Sequence, residues 1–368
     1  MIRALVADDS ALMRRHLTQL LESAGGFVVQ TARNGVEVLE ALQDFDPHVI
    51  TLDVNMPEMD GITCLSRIMS EDPRPVVMVS SLTEEGAETT LQALSLGAVD
   101  FVQKPGGTIS LSIDRIHREL LLKIRAAATT KVRRSRGLRG RLASQRRPSA
   151  PPPQAALSSS GRPGLVLVGV STGGPGVLEE FLSLLPADFP WPILIAQHMP
   201  SSFTGVFARR LDEVCALSVV EASRQMPIEP GTVYIAKGDA DLVVTRRGTG
   251  YSATPLPQSD AHIWHPSVTR MVESALALFP ANRLIGVQLT GMGDDGADAM
   301  ARLRAGGGLT IAQDEETCVV FGMPNELIKR GGASVVLPSD EIAGQLVAWL
   351  DGASPRARAR IEGGRFGA

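Results

Sequence analysis

The sequence predicts an α/β protein of two domains, each a mainly parallel sheet flanked by helices. Three observations carry that expectation. Two long regions alternate short β-branched runs with amphipathic stretches, the pattern of strands covered on both faces by crossover helices. Between them lies a segment of different composition, rich in arginine, proline and serine. The 368 residues also suffice for two cores of ordinary size.

In the first region, residues 1–125, IRALVAD, FVVQTA, HVITLD, PVVMVSS and DFVQKP read as five strands, each followed by a helix. Met13, Leu17, Leu20 and Ala24 recur at helical spacing, and Ser10 stands where an N-cap belongs. The last helix is expected over about 112–128. Residues 126–163 form the linker: Lys131, Arg133, Arg134, Arg136, Arg139, Arg141, Arg146 and Arg147 occur without an acid, then PSAPPPQ and SSSGRP follow. A basic run can touch nucleic acid, but one isolated between domains reads as a solvated tether. The second region, 164–353, carries LVLVGVS, PILIAQH, LSVVEA, TVYIAK, DLVVTR, LIGVQLT, LTIAQD and ASVVLP. TVYIAK and DLVVTR are separated only by GDA and are expected to pair as an antiparallel hairpin. Residues 354–368 read as a disordered tail.

Composition narrows the class. A hydrophobic content of 44%, a charged content of 21% and a formal net charge of -4 fit a globular chain without a nucleic-acid-binding surplus of positive charge. Cys64, Cys215 and Cys318 are far apart and form no CxxC pair, which suits a reducing compartment. The start MIRALVADDS reaches two aspartates before any signal-peptide core could form, and no apolar run approaches transmembrane length. A cytoplasmic protein is expected.

Asp8 and Asp9 end the first strand and Asp53 the third, so a parallel sheet brings them to one edge. Clustered carboxylates repel unless a cation intervenes, which points to a hard divalent ion, most simply Mg²⁺. Ser80 and Lys104 end the fourth and fifth strands and bring a hydroxyl and a positive charge to the same edge, where they could hold a phosphoryl group on Asp53. Singly, Asp8 or Asp9 reads equally well as a helix cap, and an aspartate after a strand as a turn residue. Together, ADDS, LDVNMPEMDG, VMVSS and FVQKP resemble the response-regulator receiver, a flavodoxin-like (βα)5 domain. That resemblance implies Asp53 as phosphoacceptor, Asp8, Asp9 and the Asn55 carbonyl as metal ligands, Ser80 and Lys104 as switch residues with Phe101 as the switch aromatic, and a cis Lys104–Pro105 bond.

In the second region, GVSTGG ends a strand and opens a helix, exposing Ser171 at a sharp turn. Alone this is ambiguous, because such turns also cradle phosphates and Ser171 could merely cap the helix. His198 ends another strand at the same edge. His16, His117, His48, His262 and His265 fall at positions suited to surface or capping roles. LIGVQLT runs into GMGDDGADAM and offers Asp294 and Asp295 at that edge too. A serine hydroxyl needs a base to take its proton, and a carboxylate to orient the base. Backbone N–H groups of Met292 and Thr172 are candidates for the oxyanion site. The order Ser, His, Asp disfavours the α/β-hydrolase family, in which the acid precedes the histidine.

GVSTGG, AQHMPSSFT, PGTVYIAKG, LTGMGDDGA and QDEETCVVFGMP together resemble the catalytic domain of chemotaxis protein-glutamate methylesterases, over roughly 163–350. The resemblance implies Ser171 as nucleophile, His198 as base and Asp295 as orienting acid, with Asp294 a bystander. It implies hydrolysis of methylated glutamates on chemoreceptors, deamidation of some receptor glutamines, a histidine kinase as phosphodonor, and a monomer whose receiver covers the site until Asp53 is phosphorylated. Thr269 stands where that family usually has aspartate, Lys237 replaces a proline, Asp241 a histidine, and Cys318 a common serine. These departures are expected to touch receptor choice rather than the triad, and Cys318 to be core. Rival readings are a receiver-controlled transcription factor, which lacks a helix-turn-helix pattern, a dinucleotide switch, which lacks GxGxxG, and a catalytically idle adaptor.

Overall fold

The computed structural model describes residues 1–80, 83–104, 110–130 and 164–350. They fall into two compact units, one within 1–148 and the other within 149–368. The linker's basic run, the tail after 353 and the Lys104–Pro105 bond lie outside the described residues.

The first unit runs β1 (Ile2–Ala7), α1 (Ala11–Ser23), β2 (Phe27–Ala32), α2 (Gly35–Asp44), β3 (Val49–Asp53), α3 (Gly61–Glu71), β4 (Val76–Ser80), α4 (Glu84–Leu96), β5 (Asp100–Gln103) and α5 (Ser110–Thr129). Its strands pair in parallel in the order β2-β1-β3-β4-β5. β3 and β4 are buried throughout, as expected of central strands covered by helices on both faces. The Ser10 hydroxyl accepts from the Met13 N–H and caps α1. α5 covers the helix expected over about 112–128 and runs past the domain boundary set at 125 to Thr129.

The second unit begins with β6 (Leu165–Val170), α6 (Gly174–Ser183), β7 (Ile193–Gln197), α7 (Ser201–Val214), β8 (Ser218–Ala222), β9 (Met226–Pro227) and β10 (Thr232–Ala236). β11 (Ala240–Arg247), β12 (Gly250–Pro257), α8 (Val268–Leu276), β13 (Leu284–Gln288), α9 (Ala297–Ala305), β14 (Leu309–Gln313), α10 (Met323–Lys329), β15 (Val335–Leu337) and α11 (Ser339–Leu350) complete it. A seven-stranded parallel sheet has the order β15-β14-β13-β6-β7-β10-β8. From β6 the chain first builds outward through β7 and later returns to add β13 on the other side. The carboxyl end of β6 is therefore the switch point where such sheets open a crevice.

One expectation is corrected. TVYIAK does not pair with DLVVTR: β10 already has β7 and β8 on its two sides, so no edge is free for an antiparallel partner. The chain leaves that sheet at Asp239, which takes a left-handed φ of 55° and whose carboxylate accepts from the Ser201 N–H and hydroxyl. β11 pairs instead with β12 around Gly248, in a separate antiparallel sheet of order β11-β12-β9. On α8, Val268, Met271, Val272 and Ala275 form a fully buried stripe at i, i+3, i+4 and i+7. That stripe fixes where the amino end of α8 points.

Candidate active site

Ser171 follows β6 directly. Its N–H donates to the Thr290 carbonyl (3.0 Å), and its carbonyl accepts from the Gly174 N–H (2.8 Å) and the Gln197 amide (3.0 Å). The turn needs two glycines. Gly173 sits at φ 77°, where a Cβ would lie 2.5 Å from Val319; a Cβ on Gly291 would lie 2.7 Å from the Ser171 Cβ. The Gly291–Gly293 loop thus packs directly on the Ser171 turn. Among the described residues, the Ser171 hydroxyl itself has no hydrogen-bond partner.

His198 follows β7, the neighbour of β6. The register pairs Val170 with Gln197, and the His198 N–H donates to the Val170 carbonyl (3.1 Å). Ser171 and His198 therefore stand side by side on strands about 4.8 Å apart. Asp295 comes from the loop after β13, on the opposite flank of β6. The His198 side chain spans that gap, and Nε2 lies 3.0 Å from Asp295 Oδ2. A carboxylate only accepts, so Nε2 carries the proton in this contact. Nδ1 is buried and has no hydrogen-bond partner among the described residues.

Asp295 is held from several directions. Oδ2 accepts from the Val268 N–H (2.7 Å), while Oδ1 accepts from the Thr269 N–H (3.0 Å), the Thr269 hydroxyl (2.7 Å) and the Ser267 hydroxyl (3.3 Å). These are the cap and first-turn donors of α8, where a negative charge is favoured. Burial alone would raise the Asp295 pKa. The hydrogen bond from His198, its charge and the two Thr269 donors outweigh burial and bring it down to about 2. Asp294 faces away, is largely exposed and pairs with Arg330 (3.2 Å). The Met292 N–H, in the loop packed on Ser171, makes no hydrogen bond among the described residues. Thr172 is buried, and its carbonyl accepts from the Thr290 hydroxyl (3.0 Å).

In the first unit, ligand oxygens of Asp8, Asp9 and Asp53 lie within 4.8 Å of one another. The Lys104 ammonium bridges Asp53 (2.7 Å) and Asp8 (3.0 Å). Burial raises the Asp53 pKa, against the hydrogen bond from Lys104 and with the help of the nearby Asp8 charge. The Lys104 pKa is raised because its bonds to Asp53 and Asp8 outweigh the effect of burial. An oxygen-only donor set around a buried carboxylate fits a hard divalent cation such as Mg²⁺. The Asn55 side chain is exposed, and its backbone N–H bonds Asp53. The Ser80 hydroxyl donates to the Gly86 carbonyl (3.3 Å), and Phe101 is buried with the Lys123 ammonium 5.1 Å from its ring centre.

Residues 166–346 match the CheB methylesterase family model and residues 4–113 the response regulator receiver domain model. A protein-glutamate methylesterase/protein-glutamine glutaminase of Rhodospirillum rubrum is 61% identical over 95% of this chain and 96% of its own length. The chain belongs to the CheB methylesterase family. A protein of the same name from Rhodopseudomonas palustris is 54% identical over 95% of this chain and 98% of its own. The solved Thermotoga maritima CheB methylesterase catalytic domain is 38% identical, with a TM-score of 0.49, covering 50% of this chain and 98% of that one.

Against the usual CheB pattern, the departures lie closer to the triad than expected. Thr269 grips Asp295 through both N–H and hydroxyl, and its hydroxyl also accepts from the Gly296 N–H (2.9 Å). Asp241 is fully buried and accepts from the Ser267 N–H (2.7 Å) and from Arg270 (2.6 Å), and it contacts His265 Nδ1 (2.8 Å). The expectation that these substitutions spare the triad is thus corrected. His265 is likewise a buried structural partner, not a surface residue. Cys318 is half-buried, and its thiol is pushed up to about 12 mainly by burial, so it is no nucleophile at neutral pH.

Sequence reasoning missed three glutamines. ILIAQ, LIGVQ and LTIAQ each end an apolar strand with a buried glutamine. Gln197 donates to the Ser171 carbonyl, Gln288 to the Asp295 carbonyl (2.9 Å), and Gln313 accepts from the Thr290 N–H (2.8 Å). A polar residue closing three neighbouring apolar runs was the available signal.

Proposed function

We propose that the chain is a phosphorylation-gated hydrolase that removes methyl esters from glutamyl side chains of chemoreceptors and deamidates selected glutamines there. The observation that carries the reading is the His198–Asp295 pair, anchored on the α8 amino end and spanning the strand that presents Ser171. Since Nε2 is engaged by Asp295, Nδ1 is the ring atom that takes the Ser171 proton. Ser171 Oγ bonds to the glutamyl carbonyl carbon. The resulting oxyanion meets the Met292 and Thr172 N–H groups, and the imidazolium returns its proton to departing methanol or ammonia. Water, deprotonated by the same nitrogen, then releases glutamate and Ser171. Asp295 stays ionised throughout, consistent with its pKa of about 2.

Residues 1–125 act as receiver, 126–163 as linker and 164–353 as catalytic domain. Asp8, Asp9, Asp53 and the Asn55 carbonyl would hold Mg²⁺, which supplies charge neutralisation for phosphoryl transfer. A histidine kinase donates the phosphoryl group to Asp53. Lys104 and Ser80 then contact it, with Phe101 following the Ser80 movement. The protein acts in the cytoplasm as a monomer.

The deciding assay is methanol release from methylated receptor membranes. The parent protein is expected to release methanol, and Ser171→Ala to lose at least about a thousandfold in rate. Equal release by Ser171→Ala would overturn the reading.

A further inference from the structure

The segment from Trp264 to Thr269 meets both members of the His–Asp pair. Its far end, Ser267 to Thr269, holds the Asp295 carboxylate. Its near end places the Trp264 indole against the His198 imidazole, with ring centres 5.5 Å apart and planes 8° from parallel. The same indole reaches the glycine loop: a Cβ on Gly293 would lie 3.2 Å from its Nε1. Between these ends, His265 is pinned to buried Asp241, which also pairs with Arg270. Trp264 itself is only half-buried, and its indole N–H makes no hydrogen bond among the described residues. A core role or a polar anchor would not explain that placement.

We propose that Trp264 is a positioning residue for the hydrolysis. It holds the His198 ring in the plane that directs Nε2 to Asp295 and Nδ1 toward Ser171, and it favours the imidazolium that forms when Ser171 gives up its proton. The proposal rests on the hydrolase reading above. Its physics is that of a flat ring wedged between neighbours. A parallel stack resists rotation of the imidazole about its Cβ–Cγ bond, and that rotation would carry Nε2 away from Asp295 and put ring carbons where the nitrogens stand. The face of an indole is also the most attractive aromatic surface for a cation. Asp295 is the charged group bonded to the imidazole. Asp294 is turned to Arg330, and the His265, Asp241 and Arg270 cluster lies further along the segment.

The test compares the full-length parent with Trp264→Leu and Trp264→Phe. Trp264→Leu is expected to lower kcat for methanol release by about 3- to 30-fold with KM little changed. The acid limb of kcat/KM should also move to lower pH, because the protonated ring loses its partner. Trp264→Phe, which keeps an aromatic face, should recover most of both effects. A direct NMR titration of the His198 ring should show the same displacement in Trp264→Leu. That readout is independent of turnover, so it still judges the stack if the parent fails to release methanol. Unchanged kcat and titration in Trp264→Leu would overturn the proposal. So would equal losses in both variants with no displacement of the titration, which would mark Trp264 as filler.

Discussion

At the residue scale, the question is what each atom of the Asp295 carboxylate does. Its pKa lies at about 2, below the ordinary 3.8, so the folded state binds the proton less readily than the unfolded chain. Stability from this group is therefore fully present above about pH 4 and is lost as pH falls through about 2. A displacement of nearly two units corresponds to about 2 kcal/mol. All three tryptophans, Trp191, Trp264 and Trp349, lie in the second unit, so their fluorescence follows that unit's urea unfolding. Between pH 5 and pH 2, Asp295→Asn should lose about 2 kcal/mol less than the parent protein. An identical loss in both would disprove this role. From its residues alone GMGDDG offers two acids; the family resemblance singles out Asp295, and the hydrogen bonds show what physically separates it from Asp294. The discriminating fact is the direction of each side chain, one toward α8 and the other toward Arg330, and a two-letter pattern holds no such information.

At the scale of elements, the strands were readable because both sheets are parallel and buried, which leaves unbroken apolar runs in the sequence. The hairpin was misassigned because short loop length says nothing about which edges are already occupied. β10 is paired on both sides, so β11 had to leave the sheet. The catalytic support around α8 was equally hidden, since Ser267, Val268 and Thr269 look like an ordinary helix start. Thr269→Val tests that support. The valine keeps the shape but removes a hydroxyl that donates to Asp295 and accepts from Gly296. Losing these bonds should cost about 1–3 kcal/mol of stability in the second unit, since the Gly296 N–H is left without its acceptor. In the proposed mechanism Asp295 orients His198, so kcat should fall with little change in KM. A variant with full kcat would show that the remaining donors on Asp295 suffice.

For the whole molecule, the issue is how the proposed phosphorylation of Asp53 in one unit would act on the proposed nucleophile Ser171 in the other. Phosphorylation of Asp53, as proposed, would add charge where Lys104 already bridges Asp53 and Asp8 and where the clustered oxygens suit a divalent ion. A phosphoryl group there competes for Lys104 and for the Ser80 hydroxyl, which otherwise donates to Gly86 at the start of α4. In the proposed switch, moving that hydroxyl would change the receiver's state, and activity could shift only as far as the phosphoryl group favours one state over the other. Asp53→Asn removes the acceptor while preserving its size. Basal methanol release should survive, because Ser171, His198 and Asp295 are untouched, while stimulation by a small phosphodonor should vanish. Chelation of divalent cations should do the same to the parent protein, abolishing stimulation but sparing basal turnover, since the proposed ester chemistry is carried by Ser171, His198 and Asp295. Stimulation that persists in Asp53→Asn would place the control elsewhere. Basal activity that collapses on chelation would mean that the cation acts on the hydrolase directly.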